Sequence, residues 1–115
     1  MTQNVVIVGA VALGPKAACR FKRLMPEAKV TMIDETDLIS YGGCGIPYFV
    51  SGDVSDPGQL QSTSFHMLRD ETFFKNAKDI DVLTRVRAVS IDRDQKEVHI
   101  EHVETGEKER LSYDR

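Results

Sequence analysis

Residues 4–14 read NVVIVGAVALG, and this stretch decides the fold. Residues 4–8 are almost uniformly β-branched and apolar, which is typical of a strand buried on both faces of a parallel sheet. Gly9 follows the run directly, and Gly14 stands where a helical pattern begins. The order of strand, glycine turn and helix indicates the first part of a βαβ unit.

A helix is predicted over residues 13–25, immediately after the turn. Apolar side chains recur there at the 3.6-residue period of an amphipathic helix, at Ala17, Phe21, Leu24 and Met25. Pro15 fits the first turn of this helix, and Pro26 ends it. Residues 29–33 predict a second strand, so residues 1–34 are predicted to form a βαβ unit.

The remainder of the chain predicts different elements. Residues 37–58 are rich in Gly, Ser, Pro and Asp and indicate an irregular segment with a short helix after Pro47; a second helix is predicted over residues 69–76. Residues 84–92, 97–104 and 109–113 carry β-branched residues and predict a three-stranded antiparallel meander.

The predicted fold class is α/β, a Rossmann-like βαβ unit with an incomplete parallel sheet of two strands plus the meander. Because a doubly wound domain needs further parallel strands, the chain is interpreted as a fragment.

Composition narrows the class of protein. The chain has 115 residues, 41% of them hydrophobic, which is enough to form the core of one domain without a disulfide framework. It has no apolar run typical of a membrane protein. Fifteen Lys and Arg against eighteen Asp and Glu give a net charge of −3, which argues against nucleic-acid binding. The N-terminus lacks an export-signal pattern, so we expect a cytoplasmic protein in which Cys19 and Cys44 are thiols. Neither the cysteines nor the histidines have the spacing of metal ligands, so no metal is expected.

The glycine turn and Asp34 together indicate a nucleotide site. Residues 9–14 lie between strand and helix, where a pyrophosphate rests on unpaired N–H groups at a helix N-terminus, although Val11 stands where the usual motif has a glycine. Asp34 ends the second strand, and a carboxylate there hydrogen-bonds the hydroxyls of an adenosine ribose. Such a carboxylate disfavours a 2′-phosphate and points to FAD or NAD. The alternatives are a plain tight turn and an aspartate that caps it.

Residues 40–48, SYGGCGIPY, surround Cys44 with glycines. Glycines let backbone or cofactor approach the sulfur closely, and Pro47 favours a helix start that directs N–H groups at the thiol. This setting lowers the pKa of a thiol and makes a nucleophilic thiolate available near neutral pH. No second cysteine stands nearby in the sequence, so the thiol would pair with a group from outside the polypeptide. An inert cysteine is the alternative.

The two motifs together resemble the single-cysteine branch of the FAD-dependent pyridine nucleotide-disulfide oxidoreductases, in particular the coenzyme A-disulfide reductases, including those fused to a rhodanese domain. Residues 5–14 are similar to the family's opening strand and glycine turn, with Leu13 in place of a common glycine. Residues 40–48 are similar to its active-site signature, with Gly43 in place of a common asparagine. The resemblance covers residues 1–115 and implies the N-terminal part of an FAD-binding domain, with NAD(P)-binding and dimerisation domains outside this chain.

The resemblance implies roles for individual residues. The FAD site would comprise a pyrophosphate-binding turn, two carboxylates at the ribose and a strand backbone at the adenine (Gly9, Val11, Ala12, Gly14; Asp34, Glu35; Val86, Arg87). Cys44 would be the redox nucleophile that attacks a small disulfide, and reduced flavin would resolve the mixed disulfide. The substrate site would comprise two helix residues near the coenzyme A phosphates, three residues around Cys44 and one further phosphate contact (Arg20, Arg23; Ser40, Tyr41, Gly43; Arg69).

The implied reaction passes electrons from NAD(P)H through FAD to Cys44 and reduces coenzyme A disulfide, a persulfide or a polysulfide in a homodimeric full-length protein. The 115 residues alone are expected to be inactive. Two other functions stay open at this point. The same fold supports an NADH oxidase or peroxidase in which Cys44 cycles through a sulfenic acid. The chain could also be a non-catalytic nucleotide-binding or redox-sensing module, and Arg20 and Arg23 could be no more than a solvated helix face.

Overall fold

The computed structural model describes residues 3–37, 39–40, 46–53, 55–61 and 69–115. Within these ranges the chain forms one parallel and one antiparallel sheet, each of three strands, and three α-helices. In chain order the elements are β1 (Asn4–Val8), α1 (Leu13–Leu24), β2 (Lys29–Ile33), α2 (Ile46–Ser51), a 3-10 helix (Pro57–Leu60), α3 (Glu71–Lys78), β3 (Asp81–Leu83), β4 (Val86–Asp92), β5 (Glu97–His102) and β6 (Lys108–Ser112). Among the described helices, none combines the length and the apolar character needed to cross a bilayer.

The predicted α/β architecture is confirmed. β1 and β2 run parallel and flank α1 in sequence, with Val5 opposite Val30 and Ile7 opposite Met32. β4, β5 and β6 form the antiparallel meander in sequential order. A register shift between Ala88 and Ser90 marks a bulge in β4, and a bulge locally increases the twist of a strand.

The parallel sheet contains a third strand that the sequence analysis missed. β3 pairs parallel with β2, with Met32 opposite Val82, and extends the sheet in the order β1-β2-β3. The prediction of two parallel strands is therefore wrong. β3 spans three residues, and periodicity does not identify a strand shorter than about four.

β1 is covered on both faces, as expected, except at its C-terminal end. Val5 and Ile7 belong to the core on one face and Val6 packs against the core on the other, whereas Val8 is 54% exposed. β1 is an edge strand of the described sheet. Along its open side, the N–H groups of Asp114 and Arg115 donate to the Asn4 carbonyl oxygen at 2.7 and 3.3 Å. Neighbouring elements, rather than apolar character alone, decide how far a strand is buried.

The two faces of the parallel sheet carry separate cores, because successive strand residues point to opposite sides. On the helical side, the sheet packs against α1 and α3 through Val30, Met32, Ala18, Phe74 and Ile80. On the other side, it packs against the meander through Ile33, Val86, Val98 and Ile100. The resulting three layers bring the carboxyl ends of β1 and β2 beside the start of α1 and the start of β4.

The helices match the predictions in type and differ at their ends. α3 covers Glu71–Lys78 rather than residues 69–76, because Asp70 caps it: the Phe73 N–H donates to Asp70 Oδ1 at 3.0 Å. The helix ends at Asp79, which adopts the left-handed conformation. α2 begins at Ile46, one residue before Pro47.

Candidate functional site

The turn between β1 and α1 is held tightly at both of its glycines. Gly9 has φ +105°, a conformation that side chains rarely tolerate, and its N–H donates to the Ile33 carbonyl at 2.8 Å. A Cβ atom at Gly14 would lie 1.8 Å from the Gly9 carbonyl oxygen and 3.3 Å from Ile7 Cγ2. Only glycine therefore fits at position 14, and the helix packs directly on the strand end.

The N-terminus of α1 has no side-chain cap. Ala12 occupies the capping position, and the first turn holds no acidic residue. The first helical hydrogen bond runs from the Lys16 N–H to the Ala12 carbonyl at 3.4 Å, while Pro15 has no N–H to satisfy. Leu13 is 80% exposed, so its side chain does not fill the turn. The first N–H groups and the positive end of the helix dipole thus face an opening that suits an anion.

Asp34 is fixed by three separate parts of the chain. Its N–H donates to the Leu83 carbonyl, and its own carbonyl accepts from the Val86 N–H, both at 3.0 Å. Its carboxylate accepts from the Ala10 N–H at 2.9 Å on Oδ2. On Oδ1 it accepts from the N–H of Thr36 at 3.0 Å and from its hydroxyl at 2.9 Å. The carboxylate is therefore already oriented beside the glycine turn.

Glu35 and Arg87 form an ion pair beside Asp34. Arg87 Nε and Nη2 donate to Glu35 Oε1 at 3.1 and 2.8 Å. The hydrogen bond and the charge of Glu35 raise the pKa of the Arg87 guanidinium. Val86 is buried, and its N–H is engaged by Asp34, so an adenine contact from the Val86 backbone cannot use this donor.

A second anchor ties the loop after β2 to the meander. Arg85, with φ +55°, donates through Nη2 to Asp37 Oδ2 at 3.0 Å and through Nη1 to Glu104. The hydrogen bond from Arg85 lowers the pKa of the Asp37 carboxyl, and its positive charge adds to the effect. The Arg85 N–H also donates to the Thr36 carbonyl at 3.2 Å.

A cation-lined cleft of about 490 Å³ opens between the start of α1 and α3. Its charged lining residues are Lys16, Arg69 and Lys78, and its described lining contains no carboxylate. Arg69 is held by Gln61, whose carbonyl accepts from Arg69 Nε at 3.0 Å and from the Arg69 N–H at 3.1 Å. The remaining lining residues are apolar or neutral: Val11, Ala12, Pro15, Cys19, Ser40, Phe73 and Phe74. This electrostatic balance suits an anionic ligand.

Ser40 connects the turn to this cleft. It is buried, has φ +52°, and its N–H donates to the Ala10 carbonyl at 2.6 Å. The structure thereby brings four predicted site residues, Val11, Ala12, Ser40 and Arg69, to one cleft. Arg20 and Arg23 are exposed on α1 and do not line it. The predicted site residues Tyr41, Gly43 and Cys44 lie outside the described residues.

Two site residues were not found from the sequence. Lys78 stands in the last turn of α3, and no local signal marks it, because the cleft exists only once α3 packs beside α1. Thr36 did have a signal, since a Thr two residues after an Asp is a common side-chain-to-backbone turn.

One group of three potential metal ligands lies on the β4–β5 hairpin, although the sequence spacing predicted none. Across the β4–β5 hairpin, potential ligand atoms of Asp92, Glu97 and His99 lie within 4.8 Å of one another, a grouping that sequence spacing did not show. The carboxylates have other partners: Asp92 Oδ1 accepts from two turn N–H groups, and Glu97 lies 3.9 Å from Arg110 Nη1. These contacts account for the acidic side chains, and we assign no metal to them.

Comparison with known proteins shows to which family the sequence of this chain is similar. The family profile described as pyridine nucleotide-disulphide oxidoreductase matches residues 3–115. The chain is 28% identical over 113 residues to a coenzyme A disulfide reductase of Staphylococcus haemolyticus, covering 98% of this chain and 24% of that protein. It is 37% identical over 92 residues to an NAD(P)H coenzyme A polysulfide/persulfide reductase of Pyrococcus horikoshii, covering 80% and 19%.

Among solved structures, an NAD-dependent persulfide reductase from A. fulgidus superposes with a TM-score of 0.92 and 41% identity, covering 96% of this chain and 20% of that one. The chain therefore spans 19–24% of the length of these relatives.

Proposed function

Since this chain belongs to the pyridine nucleotide-disulphide oxidoreductase family, we propose that it supplies the FAD-binding part of an enzyme that reduces coenzyme A disulfide, or a related persulfide or polysulfide. Electrons come from NAD(P)H and reach the substrate through FAD and Cys44. The NAD(P)H-binding and dimerisation domains lie outside these 115 residues, and the working enzyme is a cytoplasmic homodimer. The names of the similar reductases support the choice of substrate class.

The observation that carries the proposal is the fixed Asp34 carboxylate, 2.9 Å from the N–H of Ala10 in the glycine turn. A dinucleotide needs a carboxylate at the ribose and N–H groups at the pyrophosphate; Asp34 offers the first and the uncapped start of α1 offers the second. The glycine-only position at Gly14 lets the backbone approach a ligand closely. Gly9, Val11, Ala12 and Gly14 hold the pyrophosphate, while Asp34 and Glu35 stand at the ribose and Val86 and Arg87 at the adenine.

FAD supplies the chemistry that side chains lack, which is to accept a hydride from NAD(P)H and to deliver electrons to sulfur. The chain contributes the nucleophile. The Cys44 thiolate attacks one sulfur of the coenzyme A disulfide, a Cys44–sulfur bond forms as the substrate disulfide breaks, and one coenzyme A thiolate leaves. Two electrons and a proton, supplied ultimately by NAD(P)H, then release the second coenzyme A and restore the Cys44 thiolate.

The cation-lined cleft supports an anionic substrate such as coenzyme A, whose phosphates need positive partners. Lys16, Arg69 and Lys78 line it, and Arg20 and Arg23 add exposed positive charge along the same helix. Arginine binds phosphate through a planar set of donors. Ser40, four residues before Cys44 in sequence, is tied to the nucleotide turn through Ala10. Tyr41 and Gly43 complete the substrate entrance in this proposal.

The test uses the full-length protein and its Cys44→Ser variant. We expect absorption bands near roughly 370 and 450 nm in both proteins, which are a property of bound flavin, and loss of coenzyme A disulfide reduction by NAD(P)H in the variant alone. Equal flavin content shows that the variant has folded. Undiminished turnover by Cys44→Ser would refute the role of this thiol. A colourless wild-type protein would favour a non-catalytic nucleotide-binding module. Turnover of oxygen or peroxide in place of coenzyme A disulfide would favour the oxidase or peroxidase.

A further inference from the structure

The carboxylate of Asp34 has a limited number of acceptor positions left. A carboxylate offers about four lone-pair sites. Thr36 fills two of them on Oδ1 with its N–H and its hydroxyl, and Ala10 fills one on Oδ2. Among the described residues, no other donor contacts this carboxylate. One acceptor position on Oδ2 is therefore available to a ligand, on the oxygen that also faces the glycine turn.

Thr36 is itself fixed from the side of the meander. Its carbonyl accepts from the Arg85 N–H at 3.2 Å. The Arg85 side chain is held in turn by Asp37 and Glu104, and the Arg85 carbonyl accepts from the Val103 N–H at 2.9 Å. A hydroxyl carried on a clamped backbone restricts rotation of the carboxylate it contacts.

The neighbouring carboxylate of Glu35 is not held in the way that the Asp34 carboxylate is. Glu35 accepts from Arg87 Nε and Nη2 on Oε1, and its side chain is 57% exposed. An exposed ion pair of this kind contributes little stability and therefore orients its carboxylate only weakly. The clamped acceptor beside the turn is therefore Oδ2 of Asp34.

From this geometry we propose that Thr36 is a positioning residue for the nucleotide. Its hydroxyl turns the Asp34 carboxylate so that Oδ2 accepts one hydroxyl of the adenosine ribose, and it thereby sets the preference for FAD over FMN, which has no adenosine. The inference rests on the proposed FAD site and goes beyond it, because it assigns nucleotide selectivity to a residue that does not touch the nucleotide.

The test measures equilibrium binding of FAD and FMN to the flavin-free full-length protein by quenching of flavin fluorescence. Thr36→Val removes the hydroxyl at nearly constant volume, and we expect it to weaken FAD binding about tenfold while leaving FMN binding unchanged. Thr36→Ser keeps a hydroxyl and should bind FAD within about twofold of wild type. Thr105→Val is the matched control. The Thr105 hydroxyl accepts from the Glu107 N–H at 3.3 Å in the β5–β6 turn, and its loss should change neither affinity.

The outcomes separate this inference from the proposed function. If wild type prefers FAD to FMN and Thr36→Val keeps the same preference, the positioning role is wrong and the FAD site stands. If Thr36→Val binds FAD more tightly, the hydroxyl competes with the ribose, and the positioning role is again wrong. If wild type shows no preference for FAD, both the inference and the proposed ribose site fail. Equal loss of FAD and FMN binding in Thr36→Val would indicate a general structural defect and would also overturn the proposal.

Discussion

A Cβ atom on Gly14 would lie 1.8 Å from the carbonyl oxygen of Gly9. This distance means that the start of α1 lies against the backbone of Gly9, directly after β1, too closely for a side chain at position 14. The closeness keeps the helix N-terminus directly in front of the strand, where the Asp34 carboxylate also points. The proposed FAD site depends on this backbone geometry.

Gly14→Ala is expected to destabilise the protein by about 3 kcal/mol and to abolish tight FAD binding, because the added methyl group must push strand and helix apart. Gly106→Ala is the matched control. Gly106 has φ +74° but no atom within 4 Å of an added Cβ, so backbone strain alone should cost about 1 kcal/mol. Urea titration of each full-length variant measures the difference. Equal destabilisation by the two substitutions would show that the contact between Gly9 and Gly14 is not limiting.

Lys78→Ala is expected to raise the KM for coenzyme A disulfide about tenfold, with little change in kcat, because it removes one cation from the cleft that we assign to the phosphates. Lys108→Ala, on the exposed strand β6, removes the same charge away from the cleft and should leave KM unchanged. Steady-state kinetics on the full-length enzyme measure both. A KM for Lys78→Ala equal to that of the control would remove the cleft from the substrate site.

Arg20→Ala combined with Arg23→Ala separates phosphate binding from a solvated helix face. If these side chains bind the coenzyme A phosphates, the KM for coenzyme A disulfide should rise severalfold. This rise corresponds to a loss of about 1 kcal/mol of binding free energy. Peroxide turnover should not change. Arg93→Ala, in the exposed β4–β5 turn, is the control. A parallel fall of both activities would mean that the two arginines serve stability alone.

The β-α-β unit and the meander were predictable because their patterns are local. Residues 5–8 are apolar and β-branched, residues 29–33 include the β-branched Val30, Thr31 and Ile33, and α1 has a regular apolar period. Asp34 was identifiable by its place at the end of β2. β3 was not, since three residues carry no period, and the exposure of Val8 depends on what lies beside β1.

The cleft could not be predicted from the sequence at all. Lys16 and Lys78 belong to different helices, and only the packing of α1 and α3 on the same face of the sheet brings them to one opening. The predicted start of α3 at residue 69 is wrong because the Asp70 side chain caps the helix, which begins at Glu71. Local periodicity therefore does not predict a cleft formed between distant elements, nor the exact residue at which a capped helix begins.

Asp70→Ala should destabilise the protein by about 1 kcal/mol through loss of the cap on Phe73 N–H. Asp70→Ser retains a capping oxygen and should recover most of that loss. Free energies of unfolding from urea titration compare the three proteins. A stability of Asp70→Ala equal to that of wild type would show that packing alone fixes the start of α3.

The ion pair of Asp37 with Arg85 predicts a small pH effect on the acid side. The pKa of the Asp37 carboxyl in the folded protein lies below its usual value of 3.8 because Arg85 donates a hydrogen bond to it. A lowered folded pKa adds stability above the unfolded pKa, and this stability is lost as pH falls through the folded pKa. Melting temperatures of wild type and Asp37→Asn should therefore differ above pH 4 and converge below it. A constant difference across this range would contradict the effect, and salt should reduce it, because the pair is exposed.

The most direct test of the proposed FAD site is a crystal structure of the flavin-loaded full-length protein at about 2 Å resolution. The account predicts a ribose hydroxyl of the adenosine within hydrogen-bond distance of Asp34 Oδ2, about 2.6 to 3.2 Å, and the pyrophosphate against the N–H groups that begin α1. Density that places the ribose away from Asp34, or the pyrophosphate away from residues 9–14, would contradict it.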